Sequence, residues 1–343
     1  SSAIAQIVYL DFKEYAVINC SVEVAKKLNI YHGFINSLLK KICKDKERLF
    51  KLKITYNDLP IWFKENTKYL SKSDKDSFLK CITEEPDIHI VFKNNKFVKN
   101  FEGNLFLTSK ISGFLKNKIK FTNLKSYSNG NWWIQDYSSA FPLNNIHLNN
   151  NTECFDLCSA PGGKSFQLLS RGIKVTLNDK SKSRINLLNT NLERLKLKAN
   201  IYNKDVLELN TKNKYDLVIL DAPCTAVGTI RRNPEIFFRK INPEINKLLS
   251  MQEKMLDKAS KILKNNGEIL YMVCSFLKKE TIEQVNKFLI KNTEFTVNEF
   301  YISNRDTNYK KLIHQKFMLT LPQSINNFKI DGYFAALLKK NST

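Results

Sequence analysis

The second half of the chain alternates short apolar runs with longer stretches of helical periodicity. The strand-like runs cover residues 154–159, 173–179, 199–205, 215–221 and 267–275. Helical stretches cover residues 182–197 and 244–264. Apolar runs that alternate with helices are typical of βαβ units, whose parallel strands are covered on both faces. We therefore predict an α/β domain built on a mostly parallel sheet.

Two more strand-like runs close the chain, over residues 295–302 and 331–339. No clear helical pattern separates them, and a parallel crossover needs a dozen or more residues that are usually helical. We therefore expect these two runs to pair antiparallel at the edge of the sheet.

The first part of the chain has a different pattern. Residues 12–44 and 58–84 show helical spacing, and Pro60 is placed to begin a helix. Short strand-like pieces follow over residues 88–92 and 131–136. These features predict a helical segment followed by a small mixed α+β subdomain.

Composition narrows the choice of partner. The 343 residues carry 55 Lys and Arg against 33 Asp and Glu, a net charge of +22. This excess favours a polyanion such as RNA, although an A/T-rich gene also enriches Lys. No apolar run is long enough to span a bilayer, and the seven scattered cysteines do not resemble a disulfide framework. We expect a reduced, cytoplasmic protein that does not associate with membranes.

A glycine-containing loop follows the first strand of the predicted sheet, in DLCSAPGGKS (156–165). Glycines let a ligand approach the backbone, and the following helix N-terminus favours a carboxylate or phosphate. Asp179 ends the next strand, where an acid accepts hydrogen bonds from ribose hydroxyls, and Asp205 ends the third, where an acid suits an adenine amino group. Each feature alone fits a tight turn or a helix cap. Together they predict an adenosine-shaped site.

A phosphate-binding P-loop is the rival interpretation of the same loop. Gly163-Lys164-Ser165 matches the end of that motif, and residues 217–221 resemble the acid-ended strand that holds magnesium in NTPases. The motif also needs a glycine where this chain has Cys158. An NTPase would leave the two cysteine motifs described next unexplained.

Two cysteines follow apolar strands near this loop. Cys224 lies in Asp221-Ala222-Pro223-Cys224, and Cys274 follows Val273. A pair of thiols at two strand ends of one sheet predicts nucleophilic catalysis with an attacking and a helping thiol. Their positions do not say which is which, and either fits a buried small hydrophobe.

The segments DLCSAPGGKS, LDAPCTAVGTIRRNPEI (220–236) and MVCSFLKKE (272–280) resemble the signature motifs of RNA cytosine-5 methyltransferases of the Nop2/Sun type. Gln135-Asp136 and the 331–334 segment DGYF also match family positions. Residues 14–42 are similar to the end of the helical NusB-like RNA-binding domain, which marks the ribosomal small-subunit methyltransferase B branch. The match covers nearly the whole chain, although the helical segment resembles only the last part of that domain.

The resemblance implies a Rossmann-like class I S-adenosylmethionine-dependent methyltransferase. It implies residues 1–45 as a NusB-like remnant, 46–135 as a connecting RNA-binding subdomain and 136–343 as the methyltransferase domain. Cys274 would be the nucleophile, Cys224 would promote product release, and Asp221 would contact the base at N3. The expected cofactor-binding residues are Cys158, Ser159, Ala160, Pro161, Gly162, Gly163, Lys164, Asp179, Arg184, Asp205 and Asp221.

RNA is the expected partner, with small-subunit ribosomal RNA as the substrate and transfer RNA as the alternative within the family. Arg231, Arg232 and Arg239 follow the Cys224 loop and are placed to hold RNA phosphates, together with Lys164. The four histidines show no metal-like spacing, so we predict no metal. We expect a monomer. An RNA-binding protein on an inactive methyltransferase fold is the non-enzymatic alternative, which both intact cysteines disfavour.

Overall fold

A computed structural model describes residues 2–117, 124–212, 214–238, 244–301, 312–314 and 316–342. The chain divides into two compact units, residues 1–58 and 59–343. The first unit is helical, and its helices are α1 (Ser2–Val8), α2 (Glu14–Lys27), α3 (His32–Lys44) and α4 (Lys46–Phe50). Its small apolar core includes Ile7, Val17 and Leu39, and Leu49 of α4 packs against it. This packing places α4 with the helices before it, so the first unit extends past the expected boundary at residue 45. The NusB-like identity of these helices stays a prediction.

The second unit begins with short helices and a four-stranded antiparallel sheet. Its elements are α5 (Ile61–Asn66), α6 (Lys72–Ile82), β1 (His89–Phe92), α7 (Asn95–Lys99), β2 (Leu105–Ser109), β3 (Ser112–Leu115), α8 (Lys125–Ser128) and β4 (Trp132–Ile134). The strand order is β2-β3-β1-β4. Strands β1 and β4 correspond to the two predicted pieces, and Val91 pairs with Trp133 across them. The β2–β3 hairpin was not predicted.

The remaining elements form the larger sheet and its helices. They are α9 (Tyr137–Asn144), β5 (Glu153–Asp156), α10 (Gly163–Leu169), β6 (Lys174–Asn178), α11 (Lys182–Leu195), β7 (Asn200–Tyr202), β8 (Tyr215–Asp221), α12 (Ile245–Lys261), β9 (Leu263–Val273), α13 (Ile282–Lys291), β10 (Phe295–Asn298), β11 (Ile313–His314), β12 (Phe317–Thr320), β13 (Gln323–Ile325), β14 (Phe328–Ile330) and β15 (Tyr333–Lys340). The sheet order is β11-β12-β15-β9-β8-β5-β6-β7, and β10 also pairs with β15.

Strands β5 to β9 are parallel, as the alternating pattern predicts. Successive residues of β8 point to opposite faces of the sheet: Leu217 and Ile219 pack under one helix layer, and Val218 and Leu220 under the other. Helices α9, α10 and α11 cover the first face, while α12 and α13 cover the second. Burial on both faces explains why these strands read as continuous apolar runs.

The two closing runs do pair antiparallel, with Val297 of β10 opposite Leu338 of β15. Strand β15, however, is not at the sheet edge. It also pairs antiparallel with β9, where Phe334 lies opposite Val273. Its residues 333–338 are buried because helices and neighbouring strands enclose it. The fold is therefore the predicted Rossmann-like one, with an antiparallel strand set inside the sheet beside β9.

Candidate active site

The carboxyl ends of β5, β6, β8 and β9 meet at one edge of the sheet because these strands are parallel. Cys274 directly follows β9, and Cys224 lies in the loop after β8. These two strands pair with Asp221 opposite Met272. The pairing brings the two thiols together, with the Sγ atoms 3.4 Å apart.

A close backbone contact fixes the two cysteine loops. The Gly228 N–H donates to the Cys274 carbonyl oxygen over 3.0 Å, and the Gly332 N–H donates to the Gly228 carbonyl oxygen over 2.9 Å. A Cβ atom on Gly228 would lie 1.8 Å from the Gly332 carbonyl oxygen. Only glycine fits at this position, because any side chain would push the Cys224 loop away from Cys274.

Asp221, at the end of β8, is held by two partners from distant parts of the chain. Lys164 Nζ donates to Asp221 Oδ2 over 2.6 Å, and the Tyr333 hydroxyl donates to Oδ1 over 2.8 Å. Lys164 Nζ also lies 5.4 Å from the centre of the Tyr333 ring. Burial alone disfavours the charged ammonium, but the Asp221 carboxylate outweighs it and raises the pKa of Lys164. Lys164 therefore stays positively charged beside the two cysteines.

The Cys224 thiol keeps its proton at neutral pH. The hydrogen bond with Cys274 and burial raise the pKa of Cys224 well above its ordinary value. Nearby charge adds to this, from Cys274 and from the buried carboxylate of Glu280. Cys224 is thus suited to donate a proton or hydrogen bond rather than to attack.

The loop between β5 and α10 borders the thiols. Gly162 has φ of +116°, and a Cβ there would lie 2.0 Å from the Phe166 ring. Ser165 Oγ donates to Asp156 Oδ2 over 2.6 Å, which ties α10 back to the end of β5. Burial raises the pKa of Cys158 far above its ordinary value, and this side chain packs against the apolar core, as expected for a structural cysteine.

Two cavities meet at this point. The larger has a volume of about 390 Å³ and is lined by Trp133, Gln135, residues 158–161, Gly163, Lys164, Arg232 and Tyr333, among others. The smaller, of about 200 Å³, is lined by Leu157, Asp179, Arg184, Val206 and residues 222–224, among others. Cys158, Asp221 and Cys274 line both. A ligand in each cavity would therefore meet the other beside Asp221 and Cys274.

The smaller cavity has a free acceptor for a sugar hydroxyl. Asp179 is buried just after β6, and its Oδ1 accepts a hydrogen bond from the Ser181 N–H over 2.9 Å. Its Oδ2 is buried without a hydrogen bond, although Arg184 Nη1 lies 3.2 Å away. Helix capping thus accounts for one carboxylate oxygen only. The remaining oxygen could accept a hydrogen bond from a ribose hydroxyl of S-adenosylmethionine, and Leu157 and Val206 are apolar residues of the same cavity that could flank an adenine.

Asp205 departs from its expected role. Strand β7 ends at Tyr202, so Asp205 lies beyond the strand and does not line either cavity. Its Oδ1 accepts a hydrogen bond from the Leu207 N–H over 2.9 Å and caps a 3-10 turn, Val206–Glu208. The capping alternative therefore describes this carboxylate oxygen, and Val206 reaches the cavity instead.

The two adjacent arginines have different environments. The Arg231 side chain is fully buried and bonds Asp136 Oδ2 and Asp331 Oδ1, each over 2.7 Å. A guanidinium enclosed in this way does not reach an RNA phosphate, which corrects the expected RNA contact at Arg231. Arg232 bonds Asp331 as well, but its side chain is 37% exposed and lines the larger cavity. Arg239 lies outside the described residues.

Three residues of this site received no role from the sequence. Tyr333 and Asp331 belong to the DGYF segment, and Glu280 ends the MVCSFLKKE segment. Their partners lie far away in the chain, so local patterns carry no signal for these contacts. The match of DGYF to the family was the single available pointer to Tyr333.

The described part of the chain contains neither a candidate metal site nor a candidate membrane span. No group of three or more His, Cys, Asp or Glu side chains there is arranged to hold a metal ion. None of the described helices has the length and apolar character that a membrane span requires.

A mixed Rossmann-like sheet, a glycine loop after its first strand and a buried acid after its second, with one oxygen that accepts no hydrogen bond, define a class I methyltransferase that uses S-adenosylmethionine. Residues 144–339 match the family model described as 16S rRNA methyltransferase RsmB/F. The chain belongs to this family. The match supports the methyltransferase interpretation of the glycine loop over the NTPase alternative.

Relatives extend the similarity along the chain. Ribosomal RNA small subunit methyltransferase B of Shewanella oneidensis is 35% identical over 158 residues, which are 45% of this chain and 37% of that protein. The protein of the same name from Pectobacterium atrosepticum is 26% identical over 302 residues, covering 82% of this chain and 70% of the relative.

Solved structures share the fold. The crystal structure of PH0851 covers 98% of this chain and is itself covered to 80%, with a TM-score of 0.77 and 21% identity. NSun6 from Pyrococcus horikoshii, solved with SFG, covers 83% of this chain and is covered to 99%, with a TM-score of 0.68 and 17% identity. At these identities the likeness concerns the fold.

Proposed function

We propose that the protein transfers a methyl group from S-adenosylmethionine to carbon 5 of a cytosine in ribosomal RNA, through a covalent bond between Cys274 Sγ and carbon 6. One observation carries this proposal. Two thiols lie 3.4 Å apart beside the wall that the two cavities share. The family description and the names of the relatives support ribosomal RNA as the substrate.

The chemistry explains why a thiol is needed. Carbon 5 of cytosine is a weak nucleophile, and S-adenosylmethionine supplies an electrophilic methyl group. Addition of the Cys274 thiolate to carbon 6 turns the ring into an enamine that is nucleophilic at carbon 5. Carbon 5 takes the methyl group, and the S–CH3 bond breaks to release S-adenosylhomocysteine. Loss of the carbon-5 proton to a base then re-forms the ring double bond, and the Cys274 Sγ–C6 bond breaks to return the thiolate.

The neighbouring groups fit the remaining roles. Lys164 and Tyr333 orient the Asp221 carboxylate, which lines the larger cavity. In the proposed mechanism Asp221 contacts the N3 side of the ring. Cys224 keeps its proton and lies within reach of the Cys274 sulfur, which suits it to assist release.

The target base must leave any stack before it reaches Cys274, because the thiol lies in the wall of a cavity. Unpaired or flipped cytosines satisfy this requirement. Of the predicted RNA-binding arginines that the structure describes, Arg232 is the one open to a phosphate. Its side chain is 37% exposed and lines the larger cavity. Small-subunit ribosomal RNA is the proposed substrate, with transfer RNA as the alternative.

The test is trapping of the protein–RNA adduct. The Cys224→Ala protein is incubated with S-adenosylmethionine and unmethylated small-subunit ribosomal RNA, then separated on a denaturing gel. We expect a slowly migrating covalent complex, because the nucleophile remains while release fails. Adding Cys274→Ala should abolish the complex, and Cys20→Ala, which changes an exposed cysteine of the first unit, should not produce it.

Each other result has a definite meaning. If the complex forms with transfer RNA but not with ribosomal RNA, the substrate is transfer RNA and the proposed chemistry is unchanged. A complex that requires Cys224 and survives Cys274→Ala would reverse the two thiol roles. Cofactor binding without any adduct or methyl transfer on either RNA would contradict the proposed function.

A further inference from the structure

A buried carboxylate lies behind the two cysteines, outside both cavities. Glu280 is 0% exposed and ends a short 3-10 turn, Lys278–Glu280. It is absent from the lining of either cavity, so it does not touch the proposed ligands. Among the described residues, no Lys, Arg or His forms an ion pair with it. An enclosed charge of this kind is costly unless hydrogen bonds compensate it.

The compensating donors come from the loops that carry the thiols. Glu280 Oε2 accepts hydrogen bonds from Thr225 Oγ1 and Ser275 Oγ, each over 2.6 Å. Glu280 Oε1 accepts from the Thr225 N–H over 2.8 Å. Thr225 directly follows Cys224, and Ser275 directly follows Cys274. One carboxylate thus holds the residue after each cysteine.

Helix α12 and strand β9 complete this arrangement. Gln252 Nε2 donates to Glu280 Oε1 over 3.3 Å and to the Pro223 carbonyl oxygen, just before Cys224, over 3.0 Å. The Tyr271 hydroxyl donates to the Glu280 carbonyl oxygen over 2.8 Å. Gln252 and Tyr271 are fully buried, which anchors Glu280 in the rigid part of the domain.

We propose that Glu280 is a positioning residue that sets the distance between Cys224 Sγ and Cys274 Sγ by binding the residues that follow both cysteines. The geometry alone supports this role. The charge of Glu280 has a second consequence, because it helps the Cys274 hydrogen bond and burial to raise the pKa of Cys224. The catalytic meaning of the thiol distance rests on the proposed function, whereas the distance itself can be measured without RNA.

The experiment measures disulfide formation between Cys224 and Cys274 in the full chain without RNA or cofactor. A diazene dicarboxamide oxidant accepts two electrons and two protons as the two thiols become one disulfide, and peptide masses report the product. The Glu280→Ala protein should form this disulfide about a hundredfold more slowly than Glu280→Gln, because a displacement near 1 Å costs about that much in rate. Both variants lose the charge that raises the pKa of Cys224, so their difference reports position. Glu280→Gln should recover most of the rate, because its oxygen still accepts from the Thr225 N–H and its amide donates to the two hydroxyls.

Glu283→Ala is the matched control, since Glu283 is exposed on the following helix, α13. It should form the disulfide at the wild-type rate. S-adenosylmethionine affinity should be unchanged in Glu280→Ala, whereas a general collapse of the domain would weaken it. Equal disulfide rates in folded Glu280→Ala and Glu280→Gln would overturn the proposal.

A fallback covers the case in which Glu280→Ala does not fold. Ser275→Ala removes the Glu280 hydrogen bond to the Cys274 loop, together with the contacts of Ser275 Oγ to Thr225 Oγ1 and the Leu277 N–H, and leaves the Glu280 charge in place. A lower disulfide rate would support the proposal, and an unchanged rate would overturn it. Methyl transfer is measured separately on the wild-type protein. Its absence there would defeat the proposed function without affecting the thiol measurement, so the two failures are distinguishable.

Discussion

Replacing Arg231 by Met tests whether this arginine stabilises the domain or binds RNA. Arg231 is fully buried and bonds two carboxylates, of Asp136 and Asp331, that are themselves almost fully buried. In the Arg231→Met protein Asp331 keeps its contact with Arg232, whereas Asp136 stays enclosed without a cation. Removing one partner of a buried ion pair costs about 3–5 kcal/mol. We expect a loss of that size in the free energy of unfolding of residues 59–343.

Urea unfolding followed by tryptophan fluorescence measures this effect in the second unit, because all three tryptophans, Trp62, Trp132 and Trp133, lie there. Arg232→Met is the matched control. Its side chain is 37% exposed, and Arg231 would still pair with Asp331, so we expect a loss of about 1 kcal/mol or less.

The opposite pattern would refute this reasoning. If Arg231→Met unfolds within about 0.5 kcal/mol of wild type, the range of ordinary surface substitutions, while RNA binding weakens, then Arg231 contacts RNA and the buried arrangement is not the functional one. Salt dependence of RNA binding provides the second measurement, since losing a phosphate contact reduces the slope by about one.

Three further predictions concern the second unit. Asp179→Asn should weaken S-adenosylmethionine binding about tenfold or more by calorimetry, since a hydrogen bond to a charged group is lost, and an unchanged affinity would remove Asp179 from the cofactor site. Gly228→Ala should cost at least about 1–3 kcal/mol, because its Cβ would meet the Gly332 carbonyl oxygen at 1.8 Å; wild-type stability in urea would contradict the close contact. Burial lowers the pKa of His89 to about 4 and raises the pKa of Asp156 to about 6. Between pH 4 and 6 the unfolded chain binds a proton at His89, and the folded chain binds one at Asp156. The two groups therefore change the free energy of unfolding with pH in opposite directions, by about 3 kcal/mol each. In the His89→Gln protein the free energy of unfolding should therefore fall as pH rises through this window, and in the Asp156→Asn protein it should rise. Parallel profiles of unfolding free energy against pH for the two variants would show that neither group titrates as stated.

The sequence alone predicted the architecture of the larger domain and the location of its active edge. Apolar runs alternate with helical periodicity because parallel strands are buried on both faces, and that pattern is local. Since parallel strands end at a common edge, it also followed that the loop at 156–165, Asp179, Asp221 and Cys274 lie together. The motif resemblance added the reaction class and the different roles of the two cysteines.

The tertiary structure decided how each side chain is used. Arg231 and Arg232 are neighbours with the same chemistry, but one is enclosed by two carboxylates and the other faces a cavity. Asp179 and Asp205 both follow strands of the sheet, but only Asp179 has a carboxylate oxygen left over in a cavity. Burial and hydrogen-bond partners make these differences, and they depend on segments far away in the chain.

The groups around the two thiols also come from distant parts of the chain. Lys164 and Tyr333 bind Asp221 from positions 57 and 112 residues away, and Glu280 binds the residues after both cysteines across up to 55 residues. Strand order and helix packing bring these groups together. The sequence by itself identified the residue types needed for the reaction, while the packed fold determined their distances, their protonation and which of them remain free for a ligand.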